Sequence, residues 1–180
     1  MIPSPMWVFA YGSLMWNPGF PVAERRVADL TGYHRSFCMW SIHHRGTEEN
    51  PGLVLALDAT PQASCRGLAL RVEPGAEEVT LAELRDRELV SSAYLERVHD
   101  IRLDTGADVS AVTYVVDPDH VQYTGQLALE VQAHVIARAI GGRGPNTDYL
   151  YNTANQLSDI GIEDADLAWL VQRVRQITTS

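Results

Sequence analysis

Residues 7–14 have the sequence Trp7-Val8-Phe9-Ala10-Tyr11-Gly12-Ser13-Leu14, an apolar run interrupted by a glycine and a serine. A short apolar run closed by such residues is typical of a buried strand that ends in a turn. We therefore expect a strand from Trp7 to Tyr11 and a sharp change of chain direction at Gly12.

Further strand signals follow along the first two thirds of the chain. Two apolar runs bounded by turn residues predict strands at 53–57, which ends at Asp58 and Pro61, and at 65–72. Residues 29–45 have mixed polarity around Gly32 and could form one bent strand or two. Segments 94–103 and 111–116 flank a glycine-containing turn and predict a hairpin.

The remaining segments predict helices. Leu81 and Leu84 have helical spacing within 77–89, and acidic residues occupy its first turn, as the helix dipole prefers. A second helix is expected from Gln126 to the glycine cluster 141–145, and Asn146 is predicted to cap a third. The last has one apolar stripe, formed by Leu167, Leu170, Val171, Val174 and Ile177.

Strands first and helices last predict an α+β fold. Five or six strands with frequent turn signals favour a small mixed β-barrel with flanking helices. We expect one domain over residues 1–180, because the length is close to that of a typical domain.

Composition excludes several functional classes. All 14 cationic side chains are arginine, and the net charge is −9. Nucleic-acid affinity depends on clustered cations, so no nucleic-acid partner is expected. Without lysine, the chain is neither a pyridoxal enzyme, a lysine aldolase nor a Walker-type nucleotide hydrolase.

Cysteine usage and the N-terminus indicate the compartment. Cys38 and Cys65 are too few for a disulfide framework or a four-cysteine zinc site. The first twelve residues lack the cationic start of a signal peptide, and no window approaches the roughly 20 apolar residues that span a bilayer. We expect a soluble cytoplasmic protein with no membrane partner, whose oligomeric state the sequence leaves open.

The turn formed by Tyr11, Gly12, Ser13 and Leu14 is the first candidate site. Glycine allows successive N–H groups to point at one place, which makes a cradle for a carboxylate or another anion. The same residues also suit an ordinary turn after a buried strand. Ser13 is not predicted to be a nucleophile, since the G-x-S-x-G pattern is missing.

Glu88 is the second candidate, because it continues the stripe of Leu81 and Leu84 on the first helix. A carboxyl group that faces the core has a raised pKa and can transfer protons near neutrality. The alternative is a glutamate at a helix end that pairs with Arg85 or drifts into solvent.

Three other groups of residues are weaker candidates. His34, His43 and His44 lack the spacing of a metal site, so no metal or other cofactor is expected. The cluster 141–144 could bind an anion or be a flexible connector. Tyr94, Tyr149 and Tyr151 could line a pocket or pack in the core.

Together these motifs resemble the ChaC-type γ-glutamylcyclotransferases over nearly the whole chain. The matching segments are residues 7–16, 44–46, 51–52, 67–71, Arg87-Glu88, 146–150 and 154–155. One departure is the link 89–93, which differs from the short glycine-containing link of some members and borders the expected substrate site.

The resemblance implies a specific chemistry. The turn 11–14 would hold the α-carboxylate of a γ-glutamyl substrate, Glu88 would be the catalytic base, and Tyr149 would lie beside the substrate. For glutathione the products would be 5-oxoproline and cysteinylglycine, with no cofactor. A cyclotransferase for another γ-glutamyl compound, or a non-catalytic regulatory module, remains an alternative.

Overall fold

The computed structural model describes residues 2–89 and 92–179 of the chain. They belong to two compact units. The first consists of Met1–Arg35 and Leu57–His120, and the second of Ser36–Ala56 and Val121–Ser180.

Within the described residues, five strands form a closed barrel, namely β1 (Trp7–Ala10), β2 (Val22–Ser41), β3 (Gly52–Val72), β4 (Tyr94–Leu103) and β5 (Asp108–Val116). Their order around the barrel is β1-β3-β2-β4-β5. The β1 strand is antiparallel to β3 and parallel to β5. The barrel is therefore mixed, as the sequence predicts, and β4 and β5 form the expected antiparallel hairpin.

The described part of the chain also contains four α-helices. They are α1 (Glu77–Glu88), α2 (Leu129–Arg138), α3 (Asn146–Ile160) and α4 (Ala165–Thr179). A two-stranded sheet of β6 (Ile140–Gly141) and β7 (Gly144–Pro145) lies between α2 and α3 in the sequence. The predicted α+β class and barrel are confirmed.

An apolar cluster from the barrel strands fills the first unit. Its members are Trp7, Phe9, Ala28, Leu30, Leu57, Cys65, Ala69, Ile101, Leu103, Ala111 and Val115, and all are buried. Trp7 and Phe9 are two positions apart on β1, so their side chains point to the same face of the strand and both belong to the cluster. This packing anchors the strand that leads into the 11–14 turn.

Two strand predictions were incomplete. The β3 strand is continuous, although separate strands at 53–57 and 65–72 were expected. Pro61 lies within it, next to Gln62 with φ of 67°, and proline is tolerated in a strand where the ladder is distorted. The β2 strand is single and starts at Val22. Its first part was not predicted, because the charged residues 24–26 interrupt the apolar pattern of a strand.

The predicted cap at Asn146 was wrong. Pro145 occupies the cap position, and Asn146 is the first residue of α3. Its buried side chain accepts a hydrogen bond from the Leu53 amide at 2.8 Å and donates one to the Leu53 carbonyl at 2.9 Å. The side chain of Asn146 therefore hydrogen-bonds backbone groups of β3 and does not cap its own helix.

Candidate active site

The turn after β1 is a short 3₁₀ helix, Ser13–Met15. The amide of Met15 donates to the Gly12 carbonyl at 2.9 Å, and the amide of Asn17 donates to the Ser13 carbonyl at 2.8 Å. The first amides of a helical turn have no acceptor inside it, so the N–H groups of Ser13 and Leu14 suit an external anion. A Cβ at Gly12 would meet no atom within 4 Å, which leaves this side of the turn open.

Arg35 holds the start of this turn and was not singled out by the sequence. Its side chain is buried, and Nε donates to the Tyr11 carbonyl at 2.8 Å while an Nη donates to the Arg66 carbonyl at 2.6 Å. A buried guanidinium is costly unless its hydrogen bonds are made. Arg35 therefore ties the end of β1 to β3 and fixes where the turn begins.

Glu88 is the last residue of α1, and its side chain is only 18% exposed. Burial raises the pKa of the Glu88 carboxyl, while the positive charge of Arg87 opposes this rise. The alternative pairing with Arg85 is not what the structure has. Arg85 donates two hydrogen bonds to Glu96, at 3.0 and 2.9 Å.

Arg87 connects the two candidate sites. Its Nη atoms donate to the Ser13 hydroxyl at 3.0 Å and to the Asn17 carbonyl at 3.1 Å. Its Nε lies 3.7 Å from Oε1 of Glu88. One guanidinium thus contacts both the turn after β1 and the half-buried carboxylate, so the structure brings these two predicted sites together.

A tyrosine that sequence reasoning missed lies on the neighbouring hairpin. Tyr114 is buried, and its hydroxyl donates to Glu96 at 2.9 Å. Burial, the Glu96 acceptor and the charge of Glu88 all raise the pKa of Tyr114 far above its usual value, so it stays a neutral phenol. Tyr114 and Glu96 are directly opposite each other on β5 and β4. The register of the predicted hairpin is therefore the sequence feature from which their contact could have been predicted.

Tyr149, the third predicted site residue, belongs to the second unit. Its hydroxyl accepts a hydrogen bond from the Leu55 amide at 3.1 Å, and its ring meets Phe37 edge-on at 5.9 Å. The guanidinium of Arg45 lies over the same ring, 5.7 Å from its centroid. Tyr149 therefore fastens α3 to β2 and β3 within this unit.

The comparisons with known proteins identify the family. A family model of ChaC-like proteins matches residues 6–177. The glutathione-specific gamma-glutamylcyclotransferase of Escherichia coli (strain K12) is 35% identical over 173 residues, which cover 96% of this chain and 74% of the relative. The chain belongs to the ChaC-like family.

Other relatives agree with this membership. Gamma-glutamylcyclotransferase 2-3 of Arabidopsis thaliana is 34% identical over 178 residues, which cover 96% of this ChaC-like chain and 89% of the relative. A crystal structure of a yeast γ-glutamyl cyclotransferase specific to glutathione has a TM-score of 0.83 at 22% identity and covers 97% of this chain and 100% of that one. This structural likeness establishes the shared fold.

The glycine cluster 141–144 of this ChaC-like chain is a packed connector. The amides of Gly142 and Arg143 donate to the carbonyls of His43 and His44, at 2.6 and 2.8 Å, and the Asn146 amide donates to Ala139 at 2.9 Å. A Cβ at Gly141 would collide with the backbone of His44 and Arg45. Because these amides already have acceptors, the structure favours the connector over the anion-binding alternative.

The other candidates of the ChaC-like chain have limited roles. Across residues 2–89 and 92–179, no group of three or more metal-binding side chains occurs. Burial and the nearby Arg143 lower the pKa of His44. In the link 89–93, which the sequence analysis noted as a departure from the family, Val90 and Ser91 lie outside the described residues.

None of the described helices is long and apolar enough to cross a membrane.

Proposed function

We propose that this ChaC-like protein cleaves the γ-glutamyl bond of glutathione and releases 5-oxoproline and cysteinylglycine. The observation that carries the proposal is the half-buried carboxylate of Glu88 next to Arg87, which hydrogen-bonds the Ser13 turn. The names of the Escherichia coli and yeast relatives support glutathione as the substrate.

The substrate supplies its own nucleophile. The α-amine of the glutamyl group attacks the γ-carbonyl carbon, a new C–N bond closes the five-membered lactam, and the bond to the cysteinyl nitrogen breaks. The α-nitrogen is mostly an ammonium group near neutral pH, and it loses two protons as it becomes the lactam N–H. One of these protons must reach the cysteinyl nitrogen, which leaves poorly without it, and the other passes to water. No enzyme nucleophile is needed.

Glu88 is the proposed proton carrier. Its carboxylate takes a proton from the α-ammonium group and passes it to the departing cysteinyl nitrogen. The raised pKa brings the group closer to neutral pH, where both transfers are efficient. General acid–base catalysis of this kind contributes about 10²- to 10⁴-fold in rate.

The turn supplies the orientation. We propose that the amides of Ser13 and Leu14, with Tyr11 and Gly12, bind the substrate α-carboxylate so that the α-amine faces Glu88. Holding an intramolecular nucleophile in a reactive geometry is equivalent to effective molarities of about 10⁵ M or more. Tyr149 remains a substrate-contacting residue by resemblance, and a raised KM in Tyr149→Phe would support it.

The direct test is to incubate the purified protein with glutathione and measure 5-oxoproline. We expect turnover by the wild type and a loss of about 10²- to 10⁴-fold in Glu88→Gln. Glu83→Gln removes an exposed glutamate from the same helix and is the matched control. Glu88→Gln with full activity would remove Glu88 from the mechanism.

A panel of γ-glutamyl amines and amino acids compared by kcat/KM defines the substrate. A higher value for another compound would replace glutathione in the proposal. Binding of glutathione without turnover of any panel member would instead favour a regulatory module.

Two further expectations stay proposals. We propose that residues 1–180 unfold as one domain, and equal calorimetric and van't Hoff enthalpies would support this. We also propose a cytoplasmic location, since the two cysteines of the chain, Cys38 and Cys65, are too few for the disulfide framework of a small secreted domain.

A further inference from the structure

Arg87 directs its hydrogen bonds to the turn after β1 and not to a carboxylate, as an arginine in a surface ion pair would. Both of its Nη atoms donate to uncharged oxygens, the Ser13 hydroxyl and the Asn17 carbonyl. These two acceptors lie at either end of the turn that the Asn17 amide closes onto the Ser13 carbonyl. Arg87 therefore hydrogen-bonds both ends of the turn and connects the turn to the end of α1.

The same guanidinium also acts on Glu88 through its charge. The distance of 3.7 Å between Nε of Arg87 and Oε1 of Glu88 is too long for a good hydrogen bond but within the 4 Å limit of an ion pair. Arg87 therefore does not occupy the carboxylate oxygens with hydrogen bonds, while its charge favours the ionised form of the carboxylate. A direct bidentate bond would instead occupy the proton-accepting oxygens.

Arg85, two residues earlier on α1, has a different kind of partner from Arg87. Arg85 makes two hydrogen bonds to the carboxylate of Glu96, which is a conventional bidentate pair. The two arginines in the last turn of α1 therefore have different partners, and only Arg87 lies between the turn and Glu88.

We propose that Arg87 is a positioning residue that sets the Ser13 turn and the Glu88 carboxylate in register, with its positive charge next to the carboxylate. This inference rests on the proposed function, because the two groups it aligns are the proposed carboxylate clamp and the proposed proton carrier. Its shape matters as well as its charge, since a planar guanidinium reaches both acceptors and a lysine amine does not.

Three variants separate geometry from charge. Arg87→Gln removes both, and we expect kcat/KM for 5-oxoproline formation to fall by up to about 100-fold, the loss that misplacement of a reacting group can cause. Arg87→Lys keeps the charge and is expected to lose rate with little change in pH dependence. Ser13→Ala removes one acceptor and is expected to do the same.

The pH profile gives the signature that a purely structural role would not. The acidic limb of kcat/KM reports the ionisation of the free enzyme's base. Tyr114 on β5 also interacts with Glu88, but it stays a neutral phenol and adds no charge. Without the Arg87 charge the Glu88 pKa rises further, so the limb should move to higher pH in Arg87→Gln only. Arg102→Gln, which removes an exposed arginine paired with Asp108, is the control and should leave the profile unchanged.

A second readout does not depend on activity. Titration of the Glu88 carboxyl carbon by NMR should show a higher midpoint in Arg87→Gln than in the wild type. If the wild type is inactive but this midpoint moves, the proposed function fails and the Arg87–Glu88 coupling stands. If the wild type is active while neither midpoint nor limb moves in Arg87→Gln, the Arg87 proposal is overturned and the proposed function stands.

Discussion

The guanidinium of Arg87 donates a hydrogen bond to the hydroxyl of Ser13 at 3.0 Å, across 74 positions of sequence. This contact joins the turn after the first strand to the end of the first helix. Because Glu88 follows Arg87 directly, the contact also fixes the distance of the half-buried carboxylate from the turn. The proposed chemistry depends on this contact between Arg87 and Ser13. Substitutions at other residues of the same region test the contacts that support it.

Arg35→Met should destabilise the fold and lower activity together. The substitution removes the guanidinium hydrogen bonds to the carbonyls of Tyr11 and Arg66, and a hydrogen bond from a charged group contributes about 1.5–3 kcal/mol. Urea unfolding measures the loss. Arg102→Met, at an exposed ion pair, should cost at most about 1 kcal/mol, and equal losses for the two variants would refute the role of Arg35.

Asn146→Ala should be strongly destabilising although it lies at the start of a helix. The side chain satisfies both the amide and the carbonyl of Leu53, and each buried group left unpaired costs about 1–3 kcal/mol. Asn155→Ala, at an exposed position of the same helix, is the control. Thermal unfolding that treats the two variants alike would show that the Leu53 contacts contribute little.

Tyr114→Phe should weaken the hairpin and disturb the site without removing a charge. The variant loses the hydrogen bond to Glu96, and a bond to a charged group contributes about 1.5–3 kcal/mol. Arg85 still pairs with Glu96, so the carboxylate stays ionised. We expect a lower unfolding free energy and a reduced kcat/KM, and an unchanged value of both would contradict this.

Glu88→Gln should be more stable than the wild type at high pH. Burial raises the pKa of Glu88 above its usual value of 4.5 in the folded chain, so the folded state binds this proton more readily than the unfolded state. Wild-type stability therefore falls as pH rises from the unfolded value through the folded one. The glutamine variant lacks this loss.

Urea unfolding at acidic and alkaline pH checks the sign. The advantage of Glu88→Gln should shrink towards zero below the unfolded pKa, where the carboxyl is protonated in both states. Glu83→Gln, at an exposed position of α1, should show no such pH dependence. A variant less stable than the wild type at alkaline pH would mean that the carboxylate is stabilised rather than strained by its surroundings.

The order of strands and helices could be predicted from the sequence because local patterns carry it. The apolar run before Gly12, the hairpin at 94–116 and the stripe of the last helix each specify their own element. The two exceptions, the early start of β2 and the unbroken β3, involve the charged residues 24–26 and Pro61. There, pairing with neighbouring strands outweighs local propensity.

The sequence by itself determined that a glycine-containing turn follows a buried strand and that Glu88 shares a helix face with two leucines. Both follow from periodicity within a few residues. Only the tertiary structure decided that Arg87 reaches Ser13, that Arg35 holds Tyr11, and that Asn146 serves Leu53 rather than its own helix. These contacts join segments 24 to 93 residues apart, and no local pattern encodes which distant backbone group a polar side chain will satisfy.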